Sequence, residues 1–273
     1  MMTTYPPQVL AILAALVEER VGLHYGQTDR ELFADRTSTR ALEAGFTSLL
    51  DYYYFLRYDE GSTTEFNALV DALVVGETYL FRELEPLQVL VSDFLLPAIA
   101  AGRRPRVWSA ACATGEEPLS LAMLLASHDA LSKVELVASD ISPRSLARAA
   151  RGELGLRALR GPLPAGVEPW VTVTAGRPVI AQSVRDAIRW CQVNICDPAA
   201  VRALGSFDAV LCRNVLIYFS DETTLRVVQT LADALTVDGT LLVGVSESLL
   251  RFGTALQCEE HRGVFLYRKA VSR

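Results

Sequence analysis

Residues 106–125, RVWSAACATGEEPLSLAMLL, decide how the chain is read. The run Val107-Trp108-Ser109-Ala110-Ala111 follows Pro105 and has the length of a buried strand. Cys112-Ala113-Thr114-Gly115 then supplies a tight turn of small residues. Glu116, Glu117 and Pro118 head the apolar run Leu119 to Leu125. Carboxylates in a first turn complement the helix dipole, and proline is tolerated there. Strand, small-residue turn and helix form the opening unit of an α/β sheet that binds a nucleotide.

The turn disfavours one common ligand. A pyrophosphate needs a G-x-G-x-x-G loop so that it can approach the backbone at a helix N-terminus. Here a single glycine stands among small residues and two acids follow, which would repel a dinucleotide. An adenosyl cofactor with a cationic sulfonium and an ammonium group fits better. The competing view is an ordinary helix start with solvated carboxylates, and the turn alone leaves both open.

At 273 residues, one large or two modest domains are expected. No apolar run is long enough for a membrane span, and the first residues, MMTTYPPQ, lack the layout of a secretory signal. Five cysteines (112, 191, 196, 212, 258) form no C-x-x-C pair, so they read as buried small hydrophobes of a reducing cytoplasm. Residues 1–83 hold 13 acids and 6 bases, whereas 84–273 hold 19 acids and 20 bases. Neither half has the basic excess of a nucleic-acid binder.

Four helices are predicted in residues 1–83. The first is capped near Thr4 to Pro7 and ends at Gly22. The second runs from about Asp29 to Ala44, with Leu32, Phe33 and Leu42 inward and Arg30, Arg36 and Arg40 outward. Arg36 and Arg40 share a face, either as partner contacts or as solvated surface groups. The third, Ser48 to Arg57, holds the aromatic run Tyr52 to Phe55, and the fourth is Thr64 to Leu73. A helix over Leu87 to Ala100 precedes the first strand. Val134 to Ser139 forms the second strand, ending on Asp140, 25 residues after Gly115. A carboxylate at about that offset can accept hydrogen bonds from ribose hydroxyls, or Asp140 merely caps the next helix. Residues 151–188, rich in glycine and proline, read as an inserted loop or small β excursion with a strand at Trp170 to Thr174. Further strands are expected at Ile188 to Val193, Phe207 to Cys212 and Thr240 to Val245. A helix over Asp221 to Leu235 and a closing antiparallel pair at 256–258 and 264–268 complete the pattern.

Five segments, taken in order, resemble the CheR-type chemotaxis receptor methyltransferases: GETYLFRE (76–83), RVWSAACATGEEPLSLAM (106–123), ASDIS (138–142), FDAVLCRNVLIYF (207–219) and LLVGVSESL (241–249). The resemblance implies a Rossmann-like class I methyltransferase domain with a mostly parallel sheet, residues 84–273, behind an all-helical domain, residues 1–83. It implies S-adenosylmethionine as cofactor and S-adenosylhomocysteine as product. It also implies formation of glutamate methyl esters on the cytoplasmic domain of methyl-accepting chemotaxis receptors, by a cytoplasmic monomer that neither binds nucleic acid nor inserts in the membrane. Arg82, Tyr218 and Arg213 would be catalytic. Thr78, Arg82, Ala111, Glu116, Asp140, Ile141, Asn194, Ile195, Cys212, Arg213 and Asn214 would contact the cofactor, with Glu116 on its ammonium group and Asp140 on its ribose. Glu117 would remain a first-turn carboxylate facing solvent or a backbone donor. Arg36 and Arg40 would belong to the receptor-facing helix, about 29–44.

Three departures from the family pattern stand out. Gly76 occupies a position that is usually asparagine, the second helix is thin in arginine, and residues 151–188 differ most. They keep two rivals in view: methyl transfer to another protein or small molecule, and a non-catalytic cofactor-binding adaptor.

Overall fold

The computed structural model describes residues 6–270. By contact density the chain divides into Met1–Val75 with Tyr218–Thr224, and Gly76–Ile217 with Leu225–Arg273. The smaller unit is built on α1 (Pro7–Val21), α2 (Arg30–Glu43), α3 (Leu49–Tyr58) and α4 (Thr63–Leu73). Thr4, expected in the first cap, lies outside the described residues. Gly22 ends α1 in the left-handed conformation, where a side chain is disfavoured, and donates its N–H to Glu18 O at 2.9 Å. The core of this unit includes Leu13, Leu16, Phe33, Tyr52, Leu56 and Leu69.

Helix α2 is turned differently from the sequence expectation. Phe33, Thr37, Ser38 and Ala41 are its buried residues. Leu32 and Leu42 face outward, 45% and 58% exposed. Arg36 and Arg40 are half-buried, each held inside the unit. The physical reason lies on α4. Its C-terminal carbonyl Leu73 O needs a donor and accepts from Arg36 at 2.9 Å. Glu65 accepts from Arg40 through both oxygens, at 2.8 and 2.6 Å, and from Tyr52 at 2.6 Å. Burial, then the bond to Glu65, pushes the Tyr52 phenol far above its usual range. Satisfying these buried acceptors outweighs hiding two leucines.

In the larger unit, a run expected as one helix is broken. α5 (Leu84–Val89) passes through a π-helical turn, Leu90–Leu95, into α6 (Leu96–Ala100). Pro97 lacks the N–H for the carbonyl four residues back, and the ladder widens just before it. Next come β1 (Arg106–Ala110), α7 (Glu116–Ala126), β2 (Glu135–Asp140) and α8 (Pro143–Arg151). Residues 171–180 make a separate antiparallel hairpin, β3 (Val171–Thr174) and β4 (Arg177–Ile180). After α9 (Gln182–Asp186), β5 (Ile188–Gln192), α10 (Pro198–Ala203) and β6 (Phe207–Cys212), the chain forms α11 (Asp221–Ala234), β7 (Leu235–Val243), β8 (Leu256–His261) and β9 (Val264–Lys269). Helix α10 has no counterpart in the sequence reading; Asp197 caps it by accepting from the Ala199 and Ala200 N–H groups.

The seven-stranded sheet has the order β5-β2-β1-β6-β7-β9-β8. β5 through β7 are parallel, and β9 and β8 close the edge antiparallel, so the mostly parallel α/β expectation holds. β1 is central, with Val107, Trp108 and Ala110 buried. Trp108 Nε1 donates to Ser139 Oγ on β2 at 2.9 Å, which satisfies its polar atom in the core. Chain order reverses between β1 and β6. That reversal opens a crevice at the carboxyl ends of the strands, where sheets of this type hold ligands.

Candidate functional site

The turn after β1 is the first element at that crevice. Ala111, Ala113 and Gly115 all have positive φ, 55°, 48° and 91°. A Cβ at Gly115 would stand 2.8 Å from Ala149 Cβ and 2.9 Å from the Trp190 ring, so only glycine fits. Asp140, at the end of β2, ties this turn to its own: Oδ2 accepts from Ala113 N–H at 2.8 Å and Oδ1 from Ser142 N–H at 2.9 Å. Ile141 follows Asp140, its carbonyl accepting from Gln192 Nε2. At the end of β5, Asn194 Oδ1 accepts from Cys196 N–H at 2.9 Å, and Ile195 is buried. Ala111, Asp140, Ile141, Asn194 and Ile195 therefore follow the carboxyl ends of adjacent strands.

The two acids at the head of α7 differ sharply. Glu116 is 2% exposed and accepts from Thr114 Oγ1 at 2.6 Å. Burial raises its carboxyl above the ordinary range despite that bond and the charge of Arg148. Glu117, expected to face solvent or a backbone donor, meets two side chains instead. Its Oε1 accepts from Ser109 Oγ at 2.7 Å and its Oε2 from Arg213 at 2.9 Å.

Arg213, after β6, is the hub. Its side chain is 2% exposed. Nη1 donates to Glu117, while Nη2 reaches Glu83 Oε2 at 2.9 Å and the Arg82 carbonyl at 2.8 Å. Burial works against its charge, but Glu117 and Glu83 outweigh that, so the guanidinium stays cationic. Burial likewise pushes Glu83 up, yet the charge and hydrogen bond of Arg213, with Asn214 Nδ2 and Val245 N–H, hold its carboxyl below the ordinary range. Arg82, by contrast, is lightly held: Nη1 donates to Glu77 O at 3.1 Å, and Nε stands 4.0 Å from Glu83. Thr78 and Gly76 precede it in the same segment; a Cβ at Gly76 would meet nothing within 4 Å. Cys212 is fully buried, its thiol raised far above its usual range by burial. Cys258 is exposed, against the expectation that all five cysteines are buried.

Glu247 was not singled out as a site residue. It is buried, and its carboxylate accepts from Asn214 N–H at 2.6 Å, Gly244 N–H at 2.7 Å and Ile217 N–H at 3.3 Å. The motif LLVGVSESL contains it, but nothing in the motif indicates that it clamps a loop 30 residues away. Beside it, at the carboxyl end of β7, lies a cavity of about 600 Å³ lined by Glu83, Val245, Leu250, Cys258, Phe265 and Tyr267 among others.

The structure thus gathers Arg82, Arg213 and Asn214 in the larger unit, with Asp140, Asn194 and the turn after β1 along the same sheet edge. Tyr218 belongs to the smaller unit, where its carbonyl accepts from His24 N–H at 2.8 Å. The donor set fits an adenosyl amino acid. Arg213 Nε is buried without a partner, as a cofactor carboxylate would require, and acids stand ready for the ammonium and ribose.

Comparison with known proteins agrees with this layout. The model of the CheR methyltransferase SAM-binding domain matches residues 76–264, and that of the CheR methyltransferase all-alpha domain matches residues 9–74. Chemotaxis protein methyltransferase 2 of Vibrio cholerae is 31% identical over 251 residues, covering 89% of this chain and 86% of the relative. Chemotaxis protein methyltransferase 1 of Pseudomonas aeruginosa is 32% identical over 248 residues, 87% of this chain and 89% of the relative. A probable biofilm formation methyltransferase, WspC of Pseudomonas putida, is 34% identical over 237 residues, 86% of this chain but 55% of that protein. Among the described residues, no helix is long and apolar enough to cross a membrane.

Proposed function

This chain belongs to the CheR methyltransferase family, and from that premise we propose how its residues transfer a methyl group from S-adenosylmethionine to glutamate side chains of methyl-accepting chemotaxis receptors. When bound, S-adenosylmethionine would supply a sulfonium methyl whose carbon a carboxylate oxygen attacks in line, displacing the thioether sulfur and leaving S-adenosylhomocysteine and a methyl ester. A free glutamate has a pKa of about 4.3, so the acceptor is already ionised at neutral pH and needs no strong base. The protein's work is binding, alignment and exclusion of water, and positioning alone can supply about 7–11 kcal/mol of the barrier.

Asp140 holds the ribose, and Asn194 with Ile195 flanks the adenine. Between the two acids of α7, Glu117 takes the ammonium group in place of Glu116. Glu116 is shut in at 2% exposure with its carboxylate on Thr114, whereas Glu117 is partly exposed and lies in the charged cluster beside Arg213. Arg213 offers its free Nε to the cofactor carboxylate. Arg82, the less restrained of the two arginines, holds the acceptor carboxylate. The acceptor segment enters over the cavity beside Glu83, on the β6–β7 half of the sheet edge.

The observation that carries this reading is the Glu117–Arg213–Glu83 chain, which joins the cofactor turn to the backbone of Arg82. Its test is transfer of labelled methyl from S-adenosylmethionine to membranes bearing methyl-accepting receptors, with base-labile methanol as the readout for esters. Arg82→Ala is expected to slow turnover by about 100-fold while changing cofactor affinity much less. Label that resists base, or full turnover by folded Arg82→Ala, would overturn it.

Receptor docking stays with the smaller unit, but not through its two α2 arginines. Both guanidiniums are engaged internally. The outward stripe of α2 instead offers Leu32, Asp35, Thr39 and Leu42.

A further inference from the structure

The backbone on both sides of Arg82 is strained. Phe81 and Glu83, its two neighbours, have φ of 59° and 47°. A bulky residue in the left-handed region is uncommon and persists only where its surroundings over-determine it. Several bonds do so here. Leu80 N–H donates to Ala158 O at 2.7 Å, and Phe81 N–H donates to Ser120 Oγ at 2.8 Å. Arg213 Nη2 donates to the Arg82 and Glu83 carbonyls at 2.8 and 3.3 Å.

Apart from its bond to Phe81 N–H, Ser120 serves only its own helix. It is fully buried one turn into α7, and its hydroxyl donates to Glu116 O at 2.6 Å, which leaves a lone pair for Phe81 N–H. The helix that begins at the cofactor turn therefore grips the Arg82 turn through a side chain that touches no reactant. The Arg82 guanidinium has one hydrogen bond of its own, to a carbonyl, and packs 5.8 Å from the Tyr79 ring centre. Its aim depends on the backbone rather than on clamps at its tip.

We propose that Ser120 is a positioning residue for methyl transfer: it locks the strained Phe81–Glu83 turn to α7 and so aims Arg82 at the reacting carboxylate. Glu83 secures the other side of the turn through Arg213, Asn214 and Val245. This rests on the reading of Arg82 as the group that holds the acceptor.

The test is a double-mutant cycle in the full-length protein, with labelled S-adenosylmethionine and receptor-bearing membranes. Ser120→Ala is expected to lower kcat about tenfold, leave the cofactor Kd within about threefold, and add less than about twofold to the loss already caused by Arg82→Ala. Thermal melting checks that each variant is folded. Should Ser120→Ala fail to fold, Ser120→Cys, which keeps the volume but offers the Phe81 N–H only a weak sulfur acceptor, carries the same cycle with the same expectations. Unchanged kcat, or a loss that multiplies in full with that of Arg82→Ala, sinks the positioning role and leaves Arg82 standing. Full activity of Arg82→Ala overturns the reading of Arg82, and the positioning claim falls with it.

Discussion

Two pairs of arginines drew attention in the sequence, and the molecule treats them in opposite ways. In the smaller unit, Arg36 and Arg40 are absorbed by α4, one on a helix-end carbonyl and one on both oxygens of Glu65. In the larger unit, Arg213 is absorbed as deeply, between Glu117 and Glu83, while Arg82 keeps its guanidinium largely available. A guanidinium can build a fold or meet a ligand, and its internal partners decide which. Position on a helix face does not separate the two uses. Freedom from internal acceptors does, and of these four arginines it marks Arg82.

The comparison is broken hardest at the hub. Arg213→Met removes the partner of two enclosed carboxylates, and a loss of about 3–5 kcal/mol of stability is expected, measured by urea unfolding. A variant as stable as the parent would mean that Glu83 and Glu117 do not depend on that charge. The parallel change in the smaller unit, Arg40→Ala, leaves Glu65 with Tyr52 alone. Its expected cost is about 1–3 kcal/mol, with Arg36→Ala costing less and neither changing the apparent KM for receptor membranes much. A large rise in that KM, with stability intact, would return the two arginines to receptor docking.

The smallest effect sharpens the electrostatics. The Glu83 carboxyl lies below its ordinary range, so its ionised form is favoured by folding. That contribution is fully present above about pH 4.3, the ordinary carboxylate value, and is lost as pH falls through the lower folded-state value. Glu83→Gln is therefore expected to lower the melting temperature slightly at pH 7, and to show a shallower decline than the parent below about pH 4.3. Equal slopes would show that Arg213 does not favour the charged form.

Much of the larger unit was readable because its signals are local. The apolar run 107–111, the single Gly115 and the acid at the end of the second strand all lie close to the structures they specify. The α/β fold could be read from them, whereas the family and its cofactor came from the resemblance of five segments spread along the chain. The role of the second acid, Glu117, was misread, since its partner Arg213 lies 96 residues on. Glu83 meets Asn214 across 131 residues and Phe81 meets Ser120 across 39, so no window of sequence could pair them.

What the sequence alone determined is the order of strands and helices, the small-residue turn that suits an adenosyl amino acid, and the membership of the chain in its family. Periodicity and turn chemistry act over a few residues, and they are written where they act. Only the tertiary structure decided which charges remain available. That choice depends on which donors and acceptors are desolvated together, and burial brings together groups that the chain keeps far apart. Glu116 became a buried carboxyl and Glu117 a hub partner, although they are neighbours in sequence.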